Sequence, residues 1–351
     1  MKRIAAIMAG GYGERFWPLS RRDRPKQLLP LTNSGRTLLQ DTIHRVEALV
    51  PPEHVYVATT AALANHVAEA TPEVPAERIL SEPAKRNTAG CLAWVVAVLQ
   101  SRLGDEDAVL AVLPSDHYIR KQEAFERTLK LAFDQAEEAG LVTIGVRPTR
   151  PETGFGYIQI GGGEGAVHEV AAFHEKPNSV RALEYLDSGQ FLWNSGMFFW
   201  KLSVFHQQLQ QVDPAYDETI EKMTDLLRHG SMEEARAAFE TLPDISIDYL
   251  LMEKAEQVYV VEAEFEWDDL GTLASLEAVL PIDPNGNASR GSTLLVDAAN
   301  CLVVNENPGI RVCALGVEDL VIVATGDTIL VLPKDRCQDV RMVAQEAERA
   351  P

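Results

Sequence analysis

Through residues 1–145, short apolar runs alternate with longer stretches whose apolar residues recur at helical spacing, the βαβ rhythm of a mainly parallel sheet. The apolar runs predict strands at 3–9, 54–58, 108–113 and 141–145. Between them the spacing predicts helices at 37–49, 61–70, 88–103 and 122–139. Open sheets of this kind take ligands just outside the carboxyl ends of their strands. The residues after each strand are therefore where chemistry is expected.

The first strand runs into "MAGGYGERFWP", with Gly10, Gly11 and Gly13 in four positions. Glycines reach positive φ without Cβ clashes, so successive N–H groups can turn toward one anion, most often phosphate. Two known phosphate loops fail on spacing. G-x-G-x-x-G would put Phe16 at its third glycine, and no Gly-Lys-Ser/Thr follows for a P-loop. A plain tight turn is the other reading of the glycines. Residues 15–26 carry Arg15, Arg21, Arg22, Arg24 and Lys26 against Asp23, a local +4 in a chain of net charge −20. A local excess of this kind is either a solvated basic face or a focus for a specific anion. Arg15 offers a planar fork and Lys26 a point charge, which makes a polyphosphate the first candidate ligand.

Farther on, "GFGYIQIGGGEGAVHEVAAFHEKP" reads as a hairpin of strands 157–160 and 167–174, expected as an antiparallel flap over one end of the sheet. "FLWNSGMFFW" predicts a strand, residues 202 to about 254 predict helices, and "VEAEFEWDDLGT" a strand ending in two aspartates before a helix from about Thr272. After "PIDPNGNASRG" the chain becomes a series of short β runs at 293–296, 301–304, 311–315, 320–324 and 328–332. A boundary at 283–291 divides the chain into 1–283 and 284–351. So small a tail must pack on the first domain or on a second subunit.

Apolar content of 46% and charged content of 24% are those of a globular protein, and the length suits two domains. No apolar run approaches the roughly 20 residues that span a bilayer, and "MKRIAAIMAGG" reads as a strand rather than a signal, so a cytoplasmic protein is expected. Cys91, Cys301, Cys313 and Cys337 have no C-x-x-C spacing and are expected to be buried thiols. The acidic balance argues against a general nucleic-acid binder and leaves a mononucleotide pocket open.

Several polar residues sit where chemistry could be done. Asp116 follows a buried strand and could cap a turn or hold a cation. Asp268 and Asp269 end another strand; alternation with Trp267 favours Asp269, and with Asp116 it could hold Mg²⁺ beside substrate phosphates. Glu175 and Lys176 form either an exposed ion pair or a site for a phosphorylated sugar. Asn194, a lone amide in an apolar run, is a satisfied core amide or a sugar ligand. Asn87 or Thr88 suits a helix cap, and Glu82 could accept from the N1 and N2 donors of guanine.

In order, "AGGYGERFWPLSRRDRPKQLLPL", "SEPAKRNTA", "LPSDHYI", "FHEKP", "WNSGMF" and "WDDLGT" resemble the sugar nucleotidyltransferases, and within them the mannose-1-phosphate guanylyltransferases. The resemblance covers about residues 3 to 280, with a weaker likeness in "TILVLPKDRCQDV". It implies a Rossmann-like α/β domain with a mixed, mainly parallel sheet and a small C-terminal β-domain related to left-handed β-helices. It also implies that GTP and mannose 1-phosphate give GDP-mannose and pyrophosphate with Mg²⁺; separately, a homodimer is expected. By motif, Gly10, Gly11, Gly13 and Arg15 fall on the triphosphate loop, Lys26 on the nucleotide phosphates, and Glu82 and Asn87 near the base. Asp116 and Asp269 fall on metal ligands, and Gly156, Glu175, Lys176 and Asn194 on sugar-phosphate positions. The chain stops soon after the last motif, so transferase activity without an added isomerase is expected. The alternatives are another sugar or base, such as GDP-glucose or dTDP-glucose synthesis, or a nucleotide-sugar sensor without catalysis; a dinucleotide oxidoreductase is opposed by Phe16.

Overall fold

The computed structural model describes residues 1–349 and resolves into two compact units. The first comprises Met1–Gly10, Thr42–Pro114 and Ile119–Trp267; the second comprises Gly11–Asp41, Ser115–Tyr118 and the segment from Asp268 onward.

In the first unit the chain passes through β1 (Lys2–Met8), α1 (Leu38–Val46, shared with the second unit), β2 (Val55–Thr60), α2 (Ala64–Ala70), β3 (Ile79–Glu82), α3 (Asn87–Leu103) and β4 (Ala108–Pro114). After the short β5 (Tyr118–Arg120) come α4 (Gln122–Glu138), β6 (Leu141–Val146), β7 (Gly156–Glu164), β8 (Val167–Glu175), α5 (Ser179–Ser188) and β9 (Phe191–Lys201). Helices α6 (Leu202–Val212), α7 (Pro214–Arg228) and α8 (Met232–Glu240), a π-helical turn (Asp248–Met252) and β10 (Val258–Glu262) follow. The sheet order is β3-β2-β1-β4-β9-β6-β10-β8-β7. Strands β3, β2, β1 and β4 are parallel, whereas β9 runs antiparallel to both β4 and β6. A mainly parallel, mixed α/β sheet is thus what forms. Strand β4 is buried along nearly its whole length because helices cover both faces, which is why it reads as an unbroken apolar run.

Several expectations need correction. The β7–β8 hairpin is no flap: β8 pairs with β10, and β7 returns to pair with β9 through Tyr157↔Trp193 and Ile158↔Leu192, so the hairpin is part of the sheet. Strand β3 is an addition to the expected set, because four residues ending in Ser81 and Glu82 carry too little apolar pattern. The segment "VEAEFEWDD" is broken, β10 ending at Glu262 and a short β11 (Glu266–Asp268) ending before Asp269. Strand alternation therefore cannot orient Asp269. The predicted helix beyond Thr272 is a 3-10 turn, Leu273–Ala278, opened by a capping box between Thr272 and Ser275.

The second unit is built around parallel coils. Strands β12 (Ala288–Arg290), β14 (Leu302–Asn305) and β16 (Leu320–Ala324) stack in parallel, as do β13 (Thr293–Val296) and β15 (Val312–Leu315); β17 (Ile329–Pro333) closes the stack antiparallel to β16, and α9 (Val340–Arg349) follows. Buried Asn287 and Asn305 satisfy the backbone between coils: Asn287 donates to the Ala298 carbonyl at 2.9 Å and accepts from the Cys301 N–H at 2.9 Å, and Asn305 donates to the carbonyls of Ser292 and Ile310. The tail finds its core inside this unit. Phe16, Leu19, Leu29, Leu31 and Leu38 pack with Leu270, Leu273 and Leu276 and with Leu302, Val304, Val321 and Val323. The glycine-rich loop and the β-coils thus share one core, which local periodicity could not reveal. Cys301 and Cys337 are buried as expected, but Cys91 is only partly buried and Cys313 is exposed. No helix among the described residues is long and apolar enough to cross a membrane.

Leu302→Ala should destabilise the protein by about 2–5 kcal/mol, since Leu302 is fully buried. Leu294→Ala on the exposed side of β13 should change stability by less than about 0.5 kcal/mol. Urea denaturation of the two variants checks this; equal effects would contradict the shared core.

Candidate active site

In the second unit the site begins with Lys26. Its side chain is buried, its Nζ donates to Asp116 Oδ2 at 2.8 Å and to the Asp269 main-chain carbonyl at 2.6 Å, and it lies 5.3 Å from the Phe16 ring centroid. Lys26, Asp116 and Asp269 are thereby brought together. Burial pushes the Asp116 carboxyl up, but Lys26 and His117 outweigh it and hold it below its ordinary value. Asp268 turns into its own bend, Oδ1 accepting from the Leu270 N–H at 2.7 Å.

Of the three glycines, only Gly13 takes positive φ (67°), and a Cβ there would lie 2.5 Å from Lys26 Cβ. Gly13 is therefore required both by conformation and by the lysine beneath it. Gln27 donates to the Gly11 carbonyl at 2.9 Å, and the Ser20 hydroxyl donates to the Gly13 carbonyl at 2.6 Å. A trans peptide points its N–H opposite its carbonyl, so the N–H groups of Tyr12 and Glu14 are directed away from those side chains. The donors of this loop thus include residues that the glycine pattern did not single out.

The basic run is divided by task. Arg21 pairs with Asp327, and Arg24 pairs with Glu306 at 2.9 Å, while Glu306 also takes Arg290 at 2.7 Å. These arginines tie the loop to the β-coils, so they are not available as a general anion field. Arg15 is exposed and makes no ion pair among the described residues.

In the first unit, Gly10 ends beside Glu82: a Cβ on Gly10 would lie 3.7 Å from Glu82 Oε1. Burial pushes the Glu82 carboxyl up to about 7, with Lys85 only partly opposing it. Asn87 opens α3 with positive φ (59°), and its Oδ1 accepts from the Thr88 N–H at 2.9 Å. Thr88 Oγ1 accepts from the Ile247 N–H at 2.9 Å, so neither residue is a simple N-cap.

The same unit brings Gly156, Glu175, Lys176 and Asn194 together. Lys176 Nζ donates to Glu175 Oε1 at 2.5 Å, and a Cβ on Gly156 would strike Glu175 Oε2 at 2.5 Å. The Glu175 hydrogen bond raises the Lys176 ammonium above its ordinary value. Asn194 Nδ2 donates to Asp248 Oδ1 at 2.7 Å, and its Oδ1 accepts from the Gly196 N–H at 3.1 Å. Burial and Glu175 push the Asp248 carboxyl up. Sequence reasoning does not single out Asp248; its one signal is an acid standing directly ahead of the apolar run "YLLM".

Residues 4–284 match the nucleotidyl transferase family. This chain belongs to that family. Residues 291–346 match the MannoseP isomerase/GMP-like beta-helix domain, in agreement with the stacked coils. The chain is 37% identical to the alginate biosynthesis protein AlgA of Pseudomonas aeruginosa, over 98% of this chain and 72% of that protein. It is 36% identical to an Escherichia coli protein named mannose-1-phosphate guanylyltransferase, over 97% of this chain and 73% of the relative. A solved structure from Thermus thermophilus, named mannose-1-phosphate geranyltransferase, is 40% identical with a TM-score of 0.89, covering 99% of this chain and all of the other. Nucleotidyl transferase membership makes the chain an enzyme, and the two domain matches together account for an α/β sheet followed by a β-helix.

Carboxyl titration by NMR should find Glu82 with a midpoint of about 7 and Asp116 below the usual carboxylate range. Lys26→Met should move Asp116 upward, because burial then loses its main opposition. An unmoved Asp116 would contradict the proposed electrostatic link.

Proposed function

We propose that the chain transfers GMP from GTP to mannose 1-phosphate, giving GDP-mannose and pyrophosphate. The observation that carries this is the buried Lys26 ammonium joining Asp116 to the main chain of Asp269 beneath a glycine loop that ends in an exposed arginine. Such a set answers the central difficulty of the reaction, which is bringing two polyanions together. Relatives named mannose-1-phosphate guanylyltransferase support the choice of sugar and base.

An oxygen of the sugar phosphate attacks the α-phosphorus in line; its new bond forms as the bond to the β-phosphate bridging oxygen breaks, so no protein nucleophile is needed. Gly10, Gly11 and Gly13 let the backbone approach the triphosphate, the N–H groups of Tyr12 and Glu14 donate to it, and Arg15 takes up charge on the leaving pyrophosphate. Lys26 neutralises nucleotide phosphates, and Glu82 and Asn87 serve the base. Lys176 meets the sugar phosphate, while Glu175 and Asn194, the latter held by Asp248, meet ring hydroxyls above the bare Gly156. Two aspartate carboxylates, Asp116 and Asp269, are hard oxygen donors that suit Mg²⁺. Bound there, the ion supplies charge neutralisation for the nucleotide phosphates. On this reading residues 1–283 form the transferase domain, and 284–351 a smaller domain whose core anchors the loop.

The test is a panel of nucleoside triphosphates against sugar 1-phosphates, read by pyrophosphate release. Mg²⁺-dependent release is expected when GTP and mannose 1-phosphate are both present; no turnover with any pair would sink the proposal. Asp269→Asn should abolish turnover. Asp268→Asn should retain much of it, since an asparagine oxygen can still accept from the Leu270 N–H. Arg15→Ala should lower kcat by about 10²–10³ with little change in Tm, because Arg15 is exposed and unpaired among the described residues.

A further inference from the structure

A pocket of about 390 Å³ opens beside Glu82, lined by Ala61, Ser81, Glu82 and Pro83 on one part and by Glu233, Arg236, Ala237 and Glu240 on the other. Its volume lies within the range of about 300–1,000 Å³ usual for small-molecule sites. The second set is a stripe of α8, at i, i+3, i+4 and i+7, and so faces one way. The other side of the helix is fixed: Ala235, Ala238 and Phe239 are buried, Phe239 meets Trp94 of α3 edge-on at 5.8 Å, and Arg86 donates to the Glu240 carbonyl at 2.8 Å. Helix α8 therefore presents a definite stripe to this pocket, with the Arg236 and Glu233 side chains exposed to solvent.

The lining charges select what can enter. Three carboxylates, Glu82, Glu233 and Glu240, stand against one guanidinium, Arg236, which repels phosphate and admits a neutral ring bearing donors. An ionised Glu82 can only accept, so it serves the N1–H and N2–H edge of a purine. The same ring also presents O6 and N7, which need donors. Arg236 is the charged donor lining the pocket, and its Nη1 is held by Glu233 Oε1 at 3.3 Å. Arginine paired to O6 and N7 is a common means of reading guanine.

Resting on the GTP reading above, we propose that Arg236 of α8 is a specificity-determining residue for the nucleotide base, donating to the O6/N7 edge of the guanine whose N1/N2 edge is accepted by Glu82. Arg236→Ala should raise the KM for GTP roughly ten- to a hundredfold and leave the KM for mannose 1-phosphate within about twofold. The wild-type protein should prefer GTP to 7-deaza-GTP, which lacks N7, and that preference should collapse in Arg236→Ala. The preference for GTP over ITP, which lacks the 2-amino group, should persist in the same variant because Glu82 is intact. Arg236→Lys should recover part of the GTP affinity, and calorimetric binding of the three nucleotides repeats the comparison without turnover.

An unchanged GTP/7-deaza-GTP ratio in a folded Arg236→Ala protein would overturn the inference while leaving the transferase reading standing. So would loss of that preference in Ser81→Ala with Arg236 intact, which would make the Ser81 hydroxyl the donor. A wild-type protein that neither binds nor turns over GTP would overturn both.

Discussion

The second unit depends on one buried ammonium. Lys26 comes from the loop after β1, Asp116 from the turn after β4 and the accepting carbonyl of Asp269 from beyond β11, so three distant segments converge on one nitrogen. A buried lysine without such partners would lose its charge or unfold its surroundings. Gly13 has no side chain because Lys26 occupies the space, and Phe16, which spoils a dinucleotide fingerprint, lies beneath the ammonium and inside the core shared with the β-coils. The residue that disqualifies one nucleotide fold is part of the framework of this one.

Electrostatics in the loop follow from that framework. Five cations within twelve residues look alike in a sequence, yet Arg21 and Arg24 are bound to Asp327 and Glu306 of the β-coils, Lys26 is internal, and Arg15 is exposed without an ion pair among the described residues. Position, rather than charge count, separates the arginines bound into the fold from the one left exposed. The β-helical segment consequently has a role beyond its own fold, since its acids and its apolar coils hold the loop that carries Arg15.

In the first unit the sites grow from strand ends. Glu82 ends β3, Glu175 ends β8 and Asn194 lies within β9, where Gly145↔Asn194 pairing with β6 sets its direction. Burial without a full partner leaves Glu82 easier to protonate, while Glu175 is paired with Lys176 and Asp248 accepts from the Asn194 amide. These are different solutions to placing carboxylates in half-buried ground.

The sequence alone determined the βαβ alternation, the β-rich tail, the glycine loop with Arg15 and Lys26, and the order of motifs, because each is written in local spacing and residue type. Strand β3 is hidden there because four residues carry little periodicity, and the hairpin reads as a flap because edge pairing depends on a distant partner, β9. Only the tertiary structure decided which cations remain unpaired, that Asp248 holds Asn194, that the loop is cored on the β-coils, and that α8 brings Arg236 to the Glu82 pocket. The physical reason is common to all four: each rests on contacts between residues far apart in the chain, which packing of the whole core selects and no local pattern encodes.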